Sequence, residues 1–198
     1  MKVEHIKKPT GAEYIYATEI PEDILFYARR EVARAMPLMS GNNPSARDDA
    51  GVSMRRGKTV FLSTIYQDLV HQQLFSDSHH LVQAVVAKAI DDLDFMPDSP
   101  MMQIYALQGT GGILLSTYQS GDCYGAHPDR AMLTGLFWLS DNSEFSGGEL
   151  ILSQFGERIE PKMGTGIIFP SWYVHEVLPV ITRPNFDTRF TITCFCHP

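Results

Sequence analysis

The chain has 198 residues, 44% of them hydrophobic and 20% charged, which suits one globular domain with a sizeable core and leaves little for a second. A formal net charge of -7 argues against nucleic acid and anionic membrane as partners, because both repel an acidic surface. The opening MKVEHIKKPT lacks the apolar run of a signal peptide, and nothing later approaches the ~20 apolar residues of a membrane span.

The expectation is therefore a cytoplasmic protein. Its three cysteines, Cys123, Cys194 and Cys196, are an odd number, which points to reduced thiols rather than a disulfide framework.

The N-terminal half, about residues 1–100, reads as mainly helical with one early strand. Tyr14 to Thr18 is rich in β-formers. Pro21 then opens a helix, with Glu22 and Asp23 in its first turn; Ile24, Ala28, Val32 and Ala35 repeat at helical spacing until Pro37. Residues 40–58 are rich in Gly, Asn, Ser and charge and read as a long mobile loop. Its Arg55, Arg56 and Lys58 read as solvated charge rather than a binding patch. Ser78 is placed to cap a helix whose apolar face runs through Leu81, Val82, Val85, Val86, Ala89, Ile90 and Leu93, ending before Pro97.

From residue 101 to residue 198 the period changes. Short runs rich in Ile, Leu, Thr, Tyr and Phe alternate with turn residues, at Gly109 to Gly112, Gly121-Asp122, Asp141-Asn142, Gly147-Gly148, Gly156, Gly164 to Gly166 and Pro170-Ser171. Many short strands with no helix between them predict an antiparallel sandwich or barrel. The fold class is thus α+β: helices first, then a β-rich core, in a single domain.

His127-Pro128-Asp129 is the motif on which the chemistry turns. In a strand, residues i and i+2 share a face, so the imidazole and the carboxylate can reach one ion. Pro128 lacks a ladder donor and places the motif at an edge or strand end. A lone His-x-Asp is commonly a hydrogen-bonded surface pair. His175, in FPSWYVHEVLPV, enters a strand between apolar residues, where an unpaired imidazole is costly to bury. Alone it reads as a satisfied core histidine. Two histidines and one carboxylate together form a facial triad, which leaves coordination positions open.

Arg189 stands in DTRFTITCFC. Strand alternation puts Arg189, Thr191, Thr193 and Phe195 on one face and Phe190, Ile192, Cys194 and Cys196 on the other. A permanent cation on a mostly apolar strand needs an anionic partner: Asp187, another acidic side chain, or a ligand bearing a carboxylate that matches the guanidinium fork.

These residues resemble the 2-oxoglutarate-dependent iron(II) oxygenases, especially the prolyl 4-hydroxylase-like group. The resemblance spans about residues 101–198. It rests on Tyr118 through Asp129, on Phe137-Trp138-Leu139-Ser140-Asp141 followed by Gly147-Gly148-Glu149-Leu150, and on Pro161 to Gly166, Phe169-Pro170 and His175-Glu176-Val177 with Pro179. It implies a double-stranded β-helix (jelly-roll) with N-terminal supporting helices. It implies that His127, Asp129 and His175 bind Fe(II), that Arg189 grips the distal carboxylate of 2-oxoglutarate, and that Thr191 and Tyr118 line the co-substrate pocket. The implied reaction uses O2, decarboxylates 2-oxoglutarate to succinate and hydroxylates an unactivated C–H bond, with a peptidyl proline as the favoured substrate. A free amino acid or another small molecule is compatible with the same chemistry.

Three departures bear on that pattern. The interval from His175 to Arg189 is long for the group, implying an insertion around Thr182 to Phe186 and making Arg183 a competitor for the carboxylate. Trp138 stands where some relatives place a tyrosine that hydrogen-bonds the co-substrate. Cys123 would share a face with His127 on a regular strand and line the pocket. Two rival readings accompany these: a non-enzymatic metal-binding jelly-roll, which explains the triad and not Arg189, and a zinc site of Cys194, Cys196 and His197, which lacks a CxxC pair.

Overall fold

The computed structural model describes residues 1–41, 57–92 and 112–196. Strands β1 (Lys2–Lys7) and β2 (Glu13–Thr18) form an antiparallel hairpin. Helix α1 (Glu22–Ala35) follows from Pro21 and gives way to a 3-10 turn at Met36–Leu38 around Pro37. After β3 (Lys58–Phe61) come three helices: α2 (Leu62–Ile65), α3 (Leu69–Phe75) and α4 (Asp77–Asp92).

The remaining strands are β4 (Gly112–Tyr118), β5 (Tyr124–His127), β6 (Leu133–Trp138), β7 (Phe145–Gly147), β8 (Leu150–Leu152), β9 (Glu157–Ile159), β10 (Thr165–Pro170), β11 (His175–Val177), β12 (Val180–Thr182) and β13 (Arg189–Cys196). They build a double-stranded β-helix. Its seven-stranded sheet runs β1-β2-β10-β6-β13-β4-β3; a four-stranded sheet, β5-β11-β8-β9, and the pair β12-β7 make up the other side.

Alternation along β13 explains how one strand serves two cores. Ile192, Cys194 and Cys196 belong to the cluster formed with Leu25, Ala28 and Val32 of α1 and with Leu81, Val82 and Val85 of α4. Thr193 and Phe195 face the opposite way, into the cleft between the sheets. Each fully buried Leu or Val on the helices contributes about 1.5–3 kcal/mol, so this layer anchors the large sheet from behind. A second cluster, including Tyr118, Trp138, Phe145, Leu150 and Phe169, fills the space between the sheets.

The stripe read on α1 is the buried one, although Leu25 and Glu31 join it. The N-terminal residues contribute more strand than expected: β1, β2 and β3 supply three strands of the large sheet. The first of these, KVEHIK, buries only Val3 fully, so its alternation is hidden among the charges of an edge strand. The α4 cap is Ser76 rather than Ser78, since Ser76 Oγ accepts from His79 N at 3.1 Å. Ser78 lies inside the first turn, where its backbone N–H donates to Glu31 Oε2 at 2.7 Å. Gly166 is not a turn residue; it pairs with Phe137, and a Cβ there would run into that ring. Most of the expected loop at 40–58, and Leu93 and Pro97 with it, lies outside the described residues.

Candidate metal centre

The four-stranded sheet brings the two histidines together. β5 is its edge strand and ends at His127, and the antiparallel pairing sets His175 of β11 directly opposite. The edge position expected for Pro128 is the observed one. Asp129 follows just beyond the strand rather than within it, and is tied by its N–H to the Ser171 carbonyl at 2.8 Å. Potential ligand atoms of His127, Asp129 and His175 all lie within 4.8 Å of one another.

Both imidazoles are oriented from behind. His127 Nδ1 lies 2.8 Å from the Gly125 carbonyl and His175 Nδ1 2.9 Å from the Tyr173 carbonyl. A carbonyl only accepts, so each Nδ1 carries a proton and each Nε2 is turned toward Asp129, where a bound metal would take its lone pair. His127 Nε2 is 3.5 Å from Asp129 Oδ1, and His175 Nε2 is 3.4 Å from Asp129 Oδ2. Tyr124 stacks on His127 with centroids 3.7 Å apart, and Phe169 meets His175 edge-on at 4.9 Å. Rings held this way lose little further freedom when they bind an ion.

Asp129 balances opposing effects. Burial raises its pKa, but hydrogen bonds from His127, His175 and Thr134 outweigh that and hold the carboxyl below the usual carboxylate range. Thr134 Oγ1 donates to Asp129 Oδ2 at 2.7 Å and lies 2.9 Å from Ser171 Oγ. Because the Thr134 proton is committed to the carboxylate, Ser171 donates to Thr134.

Tyr118 joins His127, Asp129 and His175 in lining the cleft between the sheets. Arg189 pairs with Tyr118 in the β13–β4 ladder, and its Cζ sits 5.0 Å from the Tyr118 ring centroid. Arg189 is 1% exposed. Burial lowers its pKa to about 10, against the charges of Tyr118 and Glu149, so it stays cationic at neutral pH. Its Nη1 donates to the Gly148 carbonyl at 2.8 Å, while its Nε has no partner among the described residues. Thr191 Oγ1 and Trp138 Nε1 are also buried without a hydrogen-bond partner among the described residues. Groups of this kind are rare in a finished core and ask what they bind.

Comparison with known proteins adds a likeness. Residues 113–197 match the model of the 2OG-Fe(II) oxygenase superfamily. The chain is similar to that superfamily over this stretch. It is 32% identical over 77 residues to a PKHD-type hydroxylase of Idiomarina loihiensis and 37% identical over 93 residues to one of Synechococcus. Those matches cover 34% and 42% of this chain, and 35% and 42% of the relatives, so the chain spans less than half the length of either. A prolyl-4-hydroxylase of Pseudomonas putida superposes over 93% of this chain and 92% of its own, with TM-score 0.65 at 16% identity. The prolyl hydroxylase of Trichoplax adhaerens, solved with a hypoxia inducible factor peptide, gives 0.60 at 15% identity over 93% of this chain and 83% of its own. These two structural likenesses establish the jelly-roll fold.

The superfamily's metal is ferrous iron, and the donors present fit it. Two imidazole nitrogens and one carboxylate oxygen, all within 4.8 Å of one another, are the donor types of the facial set in non-haem iron oxygenases. Donors ~2.1 Å from a shared ion and at right angles to each other stand about 3 Å apart, close to the separations here.

Other sequence-predicted residues fall elsewhere in the chain. Arg183 is exposed in the turn after β12 and does not compete with buried Arg189. Asp187 is exposed too, and no carboxylate hydrogen-bonds Arg189 among the described residues. Cys123 precedes β5 and does not line the cleft, contrary to the regular-strand expectation, because β5 begins only at Tyr124. Cys194 and Cys196 are buried on the helix side of β13, away from the triad, and His197 lies outside the described residues. Thr134 carried no signal in the sequence; Tyr124 stood there only within a family-like stretch, Gly148 within one and as a turn residue, and Ser171 only as a turn residue, none with a stated role at the site.

Proposed function

We propose that the chain is an Fe(II)- and 2-oxoglutarate-dependent dioxygenase that hydroxylates an unactivated C–H bond, most naturally of a peptidyl proline. His127, Asp129 and His175 hold the iron, and Arg189, Thr191 and Tyr118 receive 2-oxoglutarate. The observation that carries this reading is a three-donor cluster in a cleft also lined by Tyr118, whose ring centroid lies 5.0 Å from Cζ of the buried, incompletely satisfied Arg189.

When bound, iron with 2-oxoglutarate and O2 supplies the oxidising power, giving succinate, CO2 and a hydroxylated product. The chain's own residues provide placement. Gly125 and Tyr173 carbonyls fix the imidazole tautomers, and Thr134 with Ser171 fixes the carboxylate. Arg189 offers a charge-assisted hydrogen bond to the far carboxylate of the co-substrate, and the Tyr118 ring covers its guanidinium. Apolar walls at Leu114, Leu136, Leu150, Phe169 and Val177 keep water from the cleft.

The prolyl substrate is supported by the names of the relatives: hydroxylases among the sequence matches and prolyl hydroxylases among the folds. A cytoplasmic setting accords with the free thiols of Cys123, Cys194 and Cys196. Anaerobic addition of Fe(II) and 2-oxoglutarate should produce a visible metal-to-ligand charge-transfer band. With O2 and proline-containing peptides, mass spectrometry should show one added oxygen and stoichiometric succinate. No band would defeat the oxygenase reading; a band with no peptide oxidation would defeat the prolyl substrate alone.

A further inference from the structure

The helical layer behind the large sheet carries an apolar face that the other described residues leave open. Helix α3 has 7 residues and buries none of them, although so short a helix is marginal in water without packing. Val70 and Leu74 stand one turn apart on one side of it, and Phe75 ends it. Phe75 shares a cavity of about 170 Å³ with Leu38, from the 3-10 turn after α1. These four side chains are between 58% and 63% exposed. Together they leave on the order of 400 Å² of apolar surface in water, the scale of the largest such patch on a typical monomer and commonly a functional one.

The charges around the cavity narrow what covers it. Its wall holds Arg34, from the last turn of α1, and Asp77, from the first turn of α4. Neither makes an ion pair among the described residues. Glu31, the other carboxylate of the wall, is buried and committed to Tyr66, Ser76 and Ser78. The outward face thus sets one cation and one anion beside an apolar centre. A partner of a single charge sign would match one of them and oppose the other. A second copy, turned about a two-fold axis, presents each with its opposite. The chain as a whole carries a net charge of -7, so two copies repel over most of their surface, and a face whose charges balance is where they can meet. An interface of standard size takes ~800 Å² from each partner and is a little over half apolar, which this patch and its polar rim supply.

We propose that the chain self-associates as a two-fold dimer through this face, with Leu38 and Phe75 of each copy packed against the other and Arg34 of each paired with Asp77 of its neighbour. The helices pack on the side of β13 that carries Ile192, Cys194 and Cys196, whereas the cleft lies on the side of Thr193 and Phe195. Dimerisation therefore leaves the metal centre open and is independent of the chemistry done there.

Sedimentation equilibrium of the full chain from about 1 to 100 µM, a span that brackets a micromolar Kd, should report a dimer. Phe75→Asp should weaken it at least ~100-fold, since a symmetric interface loses two such anchors at once, and leave the far-ultraviolet circular dichroism unchanged. Arg34→Asp and Asp77→Arg should each be monomeric alone, because like charges then face each other across the axis. Mixed in equal amounts, the two variants should form a heterodimer in which both pairs are again opposite in sign. A wild type that stays monomeric over this range overturns the proposal; if Phe75→Asp then also lowers the melting temperature, the face is covered by the chain itself. A dimer indifferent to Phe75→Asp, or a mixture of the charge variants that does not associate, overturns it as well.

Discussion

Asp129 is the only anion of the three-residue cluster, so its ionisation governs whether the site attracts a cation at all. Its carboxyl is held below the ordinary range. The sign follows directly. A depressed carboxyl contributes stability above its unfolded value of ~3.9, and that contribution disappears as pH falls through the lower folded value. In metal-free protein, the melting-temperature difference between wild type and Asp129→Asn should therefore persist at pH 5 and close only towards pH 2. Closure already at pH 5 would mean that the imidazoles and Thr134 do not hold the carboxyl down. Metal affinity should fall at least ~100-fold in Asp129→Ala, because a weakly held divalent site loses its single negative ligand.

Gly148 makes a second case at this scale. Its φ is +71°, and a Cβ would collide with Arg189 Nη1 and with Val180. Gly148→Ala should displace the guanidinium, weaken 2-oxoglutarate binding at least ~10-fold and leave iron affinity intact, as read by separate titrations of metal and co-substrate. Equal loss of both would mean that the substitution disrupts the sheet. The triad was legible because its residue types announce themselves. Thr134–Ser171 and Arg189–Gly148 were not, since these contacts join residues 37 and 41 positions apart and nothing in the sequence pairs them.

Among the elements, the helices that back the large sheet are fastened by one buried carboxylate. Glu31 of α1 accepts from Tyr66 hydroxyl at 2.6 Å, from Ser76 Oγ at 3.1 Å and from Ser78 N at 2.7 Å. It thereby caps α4 from another helix, close to the positive end of its dipole. This explains why local sequence misplaced the cap: the serine nearest the apolar run was chosen, while the anion that satisfies the helix start comes from 47 residues away. Glu31→Gln would set an amide donor against one of these donors and remove the charge. Stability should drop by about 1–3 kcal/mol, measured by denaturant unfolding, with metal affinity unaltered. A fall in metal affinity as well would show that the helical layer transmits strain to the cleft. The apolar periods of α1 and α4 were readable because one face alone is buried; β1 was not, because an edge strand satisfies two environments with mostly charged residues.

For the molecule as a whole, the candidate site lies across the seam between the sheets. His127 and His175 belong to the four-stranded sheet and Arg189 to the seven-stranded one. We propose that all 198 residues act as one domain, and a ligand spanning the seam offers a direct test. On the proposed assignment, metal alone would be held by one sheet and the loop after it, whereas 2-oxoglutarate received by Arg189 would couple both. Each ligand present at 100 times its Kd adds about 2.7 kcal/mol to unfolding. The increment from 2-oxoglutarate should appear only once metal is bound, vanish in Arg189→Ala while the metal increment remains, and shift a single unfolding transition reported alike by near-ultraviolet and far-ultraviolet circular dichroism. Two separated transitions, with only one displaced by 2-oxoglutarate, would mean that the sheets melt independently and that the co-substrate does not bridge them.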